Sequence, residues 1–309
     1  MHQSFFVISG EHEELAHGEI ISIAKSYDKK AAIKSESRLV LIKSKIPYNK
    51  IANRATFVRI SGTLVGTITE IKQINIPVTK PASFACRVIN LSTKSISSSH
   101  LEKEVGSILK QKWNCKVSLS NPDLTIYLIF TNSRNYVGFA KRRIETKRPI
   151  KAQKYPHELD SKLARCMVNL SQLKEGQTLC DPFCGTGTIL LEAESMGIKA
   201  IGMDFDPEMC GITKRNLALN RFQSQVINSS YYDIKRIMGK IDAVVTDLPY
   251  GISSKSSIEP AKLVKEFVST IPKKKKLVMV YKKGFDVNIK AKKYEIYRHK
   301  SLTRVIVVR

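Results

Sequence analysis

Two short runs carry most of the chemistry available to this sequence: Asp181-Pro182-Phe183-Cys184-Gly185-Thr186-Gly187 and Asp247-Leu248-Pro249-Tyr250-Gly251. In the first, Gly185 and Gly187 fall between an expected strand and an expected helix. Glycine there permits positive φ and lets backbone N–H groups come close to a ligand. The Gly-x-Gly-x-x-Gly fingerprint of dinucleotide sites is absent, because Leu190 stands where the third glycine belongs, and no Gly-Lys-Ser/Thr follows. The run begins on an acid instead. A carboxylate suits a cationic or amine-bearing ligand and suits pyrophosphate poorly, so Asp181, Phe183, Gly185, Thr186 and Gly187 read as a cradle for S-adenosylmethionine. Asp204 stands 204 − 181 = 23 residues further on, at the end of the next expected strand. A carboxylate at that offset can accept both hydroxyls of a ribose. Phe205 can pack on the adenine, and Asp233, after the third expected strand, can accept from its amine. Any one of these acids could equally cap a helix. Three of them after successive strands favour a cofactor site.

The second run reads as a clamp for a flat aromatic amine. The lone pair of such an amine is delocalised into its ring, which makes it a poor nucleophile. The Asp247 carboxylate and the Leu248 carbonyl, accepting its two N–H groups, would turn that lone pair toward a methyl donor. Pro249 fixes φ and stiffens the turn, and Tyr250 offers a stacking face to an unpaired base. Taken alone, Pro-Tyr-Gly is ordinary turn chemistry. Paired with the cofactor loop, it points to methyl transfer onto an exocyclic base amine.

These runs need elements to hold them. From about residue 158 the pattern alternates: strand 178–181, helix 188–196, strand 199–204, helix 207–220, strand 225–227, strand 241–247, helix 259–271 and strand 277–281. Such alternation predicts an α/β, doubly wound, mostly parallel sheet. Segments 294–298 and 304–308 have no helix between them, which requires an antiparallel pair. The first half reads as α+β, with strands at 4–8, 38–43, 84–89, 123–131 and 136–140 and helices at 11–24 and 100–113. The expected divisions are a unit over 1–75, a second over 76–141, a basic linker over 142–156 and the doubly wound domain over 157–309.

Lys and Arg total 52 against 27 acids, a formal net charge of +25 over 309 residues. An excess this large raises the local concentration of polyanions, so nucleic acid is the leading partner and an anionic membrane surface the second. Lys141, Arg142, Arg143, Lys147 and Arg148, around the linker, read as RNA contacts, against the plainer reading of a solvated connector. No apolar run reaches the ~18–20 residues of a membrane span, and the N-terminus lacks the pattern of a secretory signal. The six cysteines form no Cys-x-x-Cys pair. A metal site is not expected, and free thiols in a reducing cytoplasm are.

With these residues in hand, the sequence over 157–309 resembles the RNA guanine-N2 methyltransferases. The match is to the archaeal tRNA guanine-10 N2-methyltransferase family, whose cofactor loop is reproduced at 181–187. That family's clamp is Asp-Pro-Pro-Tyr-Gly; here Leu248 replaces the first proline. Leu163-Ala164-Arg165 with Met167-Val168-Asn169-Leu170 looks like the family's entry helix, and His299-Lys300-Ser301-Leu302-Thr303-Arg304 like its closing hairpin. Residues 84–140 resemble a THUMP domain, an RNA-binding module, and the segment before them is similar to the family's ferredoxin-like unit. The resemblance implies S-adenosylmethionine as donor and guanine 10 of tRNA as acceptor. Two alternatives stay open at this level: an amine of another RNA or DNA base, and a non-catalytic RNA-binding protein on a degenerate methyltransferase fold.

Overall fold

A computed structural model describes residues 1–68, 75–141, 148–152, 155, 158–249, 259–285, 289–299 and 302–309. The chain divides into two compact units, Met1–His17, Tyr27–Asn53 and Phe57–Thr146 in one, Gly18–Ser26, Arg54–Thr56 and Lys147–Arg309 in the other.

The first unit is built on one mixed sheet. Its elements, in chain order, are β1 (His2–Ile8), α1 (Glu13–Tyr27, whose middle belongs to the second unit), β2 (Ala32–Glu36), β3 (Leu39–Ser44), α2 (Tyr48–Ala52), β4 (Val58–Thr67), β5 (Ser83–Asn90), α3 (Ser98–Trp113), β6 (Lys116–Val117), β7 (Leu124–Phe130) and β8 (Asn135–Lys141). The strand order is β2-β3-β1-β4-β8-β7-β5-β6. β5 and β7 are parallel, joined by the crossover through α3, as parallel neighbours require. Val105, Leu109 and Trp113 recur at helical spacing on α3 and are buried against Phe84, Leu124, Ile126 and Leu128.

The boundary expected near residue 75 does not interrupt this sheet. β4 pairs with β1 on one side and β8 on the other, so strands from both expected units form a single layer. Neither β4 nor β2 was expected from the sequence. β4 alternates from Val58 to Leu64, but Gly62 and Gly66 interrupt its apolar positions, and glycine inside a run weakens its reading as a strand. Gly62 is there for space: a Cβ would lie 2.4 Å from the Phe139 carbonyl oxygen and 2.6 Å from Phe5 Cε1. Gly138 on β8 makes room for the same ring, at 2.5 Å. Phe5 is fully buried.

The second unit contains α4 (Ser161–Leu170), β9 (Thr178–Asp181), α5 (Thr188–Glu194), β10 (Lys199–Asp204), α6 (Pro207–Leu219), β11 (Gln225–Asn228), α7 (Ile234–Ile237, after a 3-10 turn at Tyr231–Asp233), β12 (Ala243–Asp247), α8 (Pro260–Thr270), β13 (Lys276–Lys282), β14 (Lys292–His299) and β15 (Leu302–Val308). The strand order is β11-β10-β9-β12-β13-β15-β14. The first five strands in that order are parallel, and β15 and β14 are antiparallel to their neighbours. The expected doubly wound sheet with a terminal antiparallel hairpin is therefore present. Asp160 caps α4, accepting from Lys162 and Leu163 N–H at 3.0 and 3.3 Å, and Asp206 caps α6, accepting from Glu208 N–H at 2.9 Å.

Residues far upstream complete this unit. Arg54, 4% exposed, donates to the Asn169 side chain and the Leu173 carbonyl, and Asn169 donates to Glu19 at 2.8 Å. Arg165 donates to the Arg54 carbonyl and ion-pairs with Glu192 at 2.9 Å, with both side chains almost wholly buried. Breaking a buried pair strands a charge, so this network specifies how the segments assemble.

Substituting Gly138→Ala drives a methyl into the Phe5 ring. It is expected to cost about 1–3 kcal/mol, read as a lower melting temperature of the first unit by circular dichroism.

Candidate active site

The order of the second sheet reverses at β9. β10 and β11 extend to one side, while β12, the fourth parallel strand in sequence, pairs on the other. Ligands of open α/β sheets bind outside the carboxyl ends of strands at such a reversal. The two strand ends that flank it are Asp181 of β9 and Asp247 of β12. The runs singled out in the sequence therefore occupy adjoining strand tips, and Thr246 donates its hydroxyl to Asp181 Oδ1 at 2.6 Å across them.

The glycine loop is held open by its own hydrogen bonds. Asp181 Oδ1 accepts from Phe183 N–H at 3.2 Å. Asp204 binds Gly185 N–H through Oδ2 and Asp206 N–H through Oδ1, both at 2.9 Å. The Gly185 carbonyl accepts from Thr213 and the Thr186 carbonyl from Asn216. Gly185 and Gly187 have φ of +51° and +84°, which side chains avoid. A Cβ on Gly185 would meet no atom within 4 Å, so the backbone here borders open space. Gly202 keeps the strand behind the loop close, since a Cβ there would lie 2.6 Å from Leu190 Cδ2.

The other expected cofactor residues are distributed as follows. The Phe183 ring packs into a cluster with Tyr231 and Phe267, at centroid distances of 5.2 and 5.4 Å. The Thr186 hydroxyl donates to Glu158 at 2.8 Å and accepts from Lys151 at 3.0 Å. Phe205 is 51% exposed beside Asp204. Asp233 accepts from the Ser229 hydroxyl and pairs with Arg236 at 3.3 Å.

At the clamp, Asp247 Oδ1 is buried and has no hydrogen-bond partner among the described residues. Leu248 is 1% exposed and packs into the core with Val264 and Phe267. Its N–H donates to the Val280 carbonyl at 3.0 Å, a bond that proline could not make. The stiffness lost with the family's first proline is thus replaced by one further ladder bond. Tyr250 lies outside the described residues.

Three carboxylates gather at these strand ends. Burial pushes Asp181 up to about 7, and the nearby charges of Asp247 and Asp204 add to that rise. Burial likewise pushes Asp247 up to about 7, while the Arg304 charge works against it. Asp204 is raised by burial and lowered in part by the two N–H groups it binds. Buried acids of one sign are costly alone and favour a cation between them. The open cradle at Gly185 thus fits a sulfonium cofactor, and Asp247 Oδ1, without a partner among the described residues, fits an N–H donor beside it.

Of the basic residues expected to meet RNA, Lys141 ends β8 and is exposed, and Arg148 approaches Glu192 at 3.4 Å. Arg142, Arg143 and Lys147 lie outside the described residues. Lys151 turns inward, pairing with Glu158 at 2.8 Å and donating to Thr188. Ile150 and Ala152 are hydrogen-bonded to Asn220, which caps the C-terminus of α6, and to Asn216, four residues earlier on that helix. This docked stretch was read as connector; the asparagine pair at helical spacing is the signal that could have found it. In the run 273–276, Lys275 donates to the Ile241 carbonyl and Lys276 to that of Gln172.

Comparison with known proteins follows the same lines. A family model described as an RMKL-like methyltransferase domain matches residues 148–298, and one described as a DNA methylase matches 16–215. The chain is 30% identical to the tRNA (guanine(10)-N2)-dimethyltransferase of Methanocaldococcus jannaschii, over 98% of both chains. Among solved structures it is similar to TrmN from Thermus thermophilus, with a TM-score of 0.59 at 15% identity, covering 100% of this chain and 99% of that one. A methyltransferase solved in complex with SAH matches with a TM-score of 0.51 at 15% identity, covering 99% and 97%. These two likenesses concern the fold.

Asp247→Asn imitates the neutral acid. A carboxyl held above its ordinary value near ~4 contributes stability at low pH that is lost as pH rises toward about 7. The substitution is therefore expected to raise the melting temperature of the ligand-free protein at pH 8 by several degrees, and by less at pH 5.

Proposed function

This chain belongs to the tRNA (guanine(10)-N2)-dimethyltransferase family, and on that premise we propose that it methylates the exocyclic N2 amine of a guanine in tRNA, at position 10, in the cytoplasm. Its cofactor is S-adenosylmethionine, which when bound supplies an electrophilic methyl on a sulfonium. The observation that carries the reading is Asp247 Oδ1, buried and without a hydrogen-bond partner among the described residues, at the strand tip next to the glycine loop.

In this reading Asp181, Gly185, Thr186 and Gly187 shape the cradle, Asp204 and Phe205 take the ribose and adenine, and Asp233 takes the adenine amine. Phe183 supports the cradle from behind through its aromatic cluster. Asp247 and the Leu248 carbonyl accept the two N–H groups of the guanine amine, localising its lone pair. Pro249 restrains the turn and Tyr250 stacks on the base. Asp247 takes the proton released from the methylated amine as the new C–N bond forms and the donor's S–C bond breaks, the sulfur being left as a neutral thioether. Holding the amine in line with the methyl supplies most of the acceleration. The basic first unit, with Lys141, Arg142 and Arg143, holds the tRNA by its phosphates together with Lys147 and Arg148 at the start of the main segment of the second unit.

Asp247→Ala is expected to abolish methyl transfer to a tRNA transcript, measured with radiolabelled donor. Calorimetric affinity for S-adenosylmethionine should stay within a few-fold of wild type; an active variant would refute the clamp. Affinity for tRNA is expected to fall by roughly tenfold or more between 50 and 200 mM salt, since each neutralised phosphate contributes a log–log slope of about −0.7 to −0.9. Nucleoside mass spectrometry of the product identifies the base, the position and whether one methyl or two are added.

The match to a DNA methylase model favours one second reading, an amine of a DNA base. Competition between tRNA and duplex DNA separates the two.

A further inference from the structure

We propose that Arg304 is a positioning residue for the transfer, keeping Asp247 in the ionised form that accepts the N–H groups of the target amine. The inference rests on the function proposed above, because only an amine acceptor requires an anion at that position.

The geometry comes from the sheet register. Asp247, the last residue of β12, lies opposite Val280 of β13, and Val280 lies opposite Ile306 of β15. Two residues further toward the carboxyl end of β13, Lys282 lies opposite Arg304. Paired residues point to one face of a sheet and successive residues alternate between faces. Asp247, Val280, Lys282, Ile306 and Arg304 therefore share a face. Met279, Tyr281, Val305 and Val307 occupy the other, packed with Leu263, Val264 and Phe267 of α8. Arg304 stands two strand spacings across and two residues along from Asp247, about 12 Å between Cα atoms. A long side chain directed back along the shared face covers much of that distance.

Arg304 is 5% exposed, so bulk water screens its charge weakly. A guanidinium does not deprotonate in a protein, which makes it a permanent cation at this end of the sheet. Among the described residues, the other charged groups at these strand ends are Asp181 of β9, Asp204 of β10 and Lys282 of β13. The two acids repel a charge on Asp247, and Lys282 is less buried than Arg304. Arg304 is the cation that favours the ionised Asp247. It does so without occupying Oδ1, which keeps no hydrogen-bond partner among the described residues. That division suits a site where the acceptor atom must stay available to substrate while its charge is held in place. A neutral Asp247 would present a hydroxyl donor to an amine that also donates.

The test titrates Asp247 directly. The full chain is labelled at its aspartate carboxyl carbons, and the Asp247 resonance is assigned by its loss in Asp247→Asn. In Arg304→Met and Arg304→Gln the midpoint is expected about one pH unit above wild type, and in Arg304→Lys close to it. The acid limb of the kcat profile on tRNA should move with it, so that activity at pH 7 falls about fivefold in the neutral variants and recovers above pH 8, with S-adenosylmethionine affinity unchanged. An unmoved midpoint in the neutral variants overturns the inference. If Arg304→Met does not fold, Arg304→Gln, which keeps length and hydrogen-bonding capacity without charge, decides. A wild-type protein inactive on tRNA sinks the proposed function, while the titration still settles the link between Arg304 and Asp247.

Discussion

A single adjacency governs the second unit: β12 lies beside β9 at the point where the sheet order reverses. Because both strands are parallel, their carboxyl ends emerge on the same edge. Sixty-six residues separate Asp181 from Asp247 along the chain (247 − 181 = 66), yet a threonine hydroxyl next to one reaches the carboxylate of the other. The proposed cofactor loop on one tip and the proposed amine clamp on the next match the arrangement that in-line transfer demands.

The cost of that arrangement is electrostatic. Three carboxylates are buried near one another, and burial raises all of them. A fold selected for stability alone would not collect acids there. The chain offsets the cost locally, with Thr246 and Phe183 N–H on Asp181, two loop N–H groups on Asp204 and the charge of Arg304 on Asp247. What is left without a partner among the described residues, Asp247 Oδ1, is the atom that the proposed reaction assigns to the amine. The residual strain and the proposed function thus fall on one residue, a pattern common at active sites.

The elements that support the loop are less obvious than the loop. Lys151 and Glu158 hold the side chains of Thr186 and Thr188, and Asn216 and Asn220 dock the stretch around Ile150. Glu19 and Arg54, from early in the chain, complete the packing of α4 through Asn169 and Arg165. The second unit is therefore assembled from discontinuous segments, and residues of a charged connector are among its structural parts.

Much was readable from the sequence. Strands and helices of the second unit follow from apolar runs of the right length separated by helical periodicity, because local sterics and burial act over a few residues. Strands 178–181 and 199–204 match to the residue. The motif residues were visible because loop geometry needs glycine and charge chemistry needs acids. β4 was not read: its Gly62 is dictated by the ring of Phe5 and by β8, partners remote in sequence. Nor could sequence reveal that Leu248 takes up a ladder bond to Val280, that Lys151 faces inward, or that Arg304 shares a face with Asp247. Those outcomes depend on sheet register and on which strands become neighbours. Local pattern determines what each segment can be; long-range packing decides what each side chain meets.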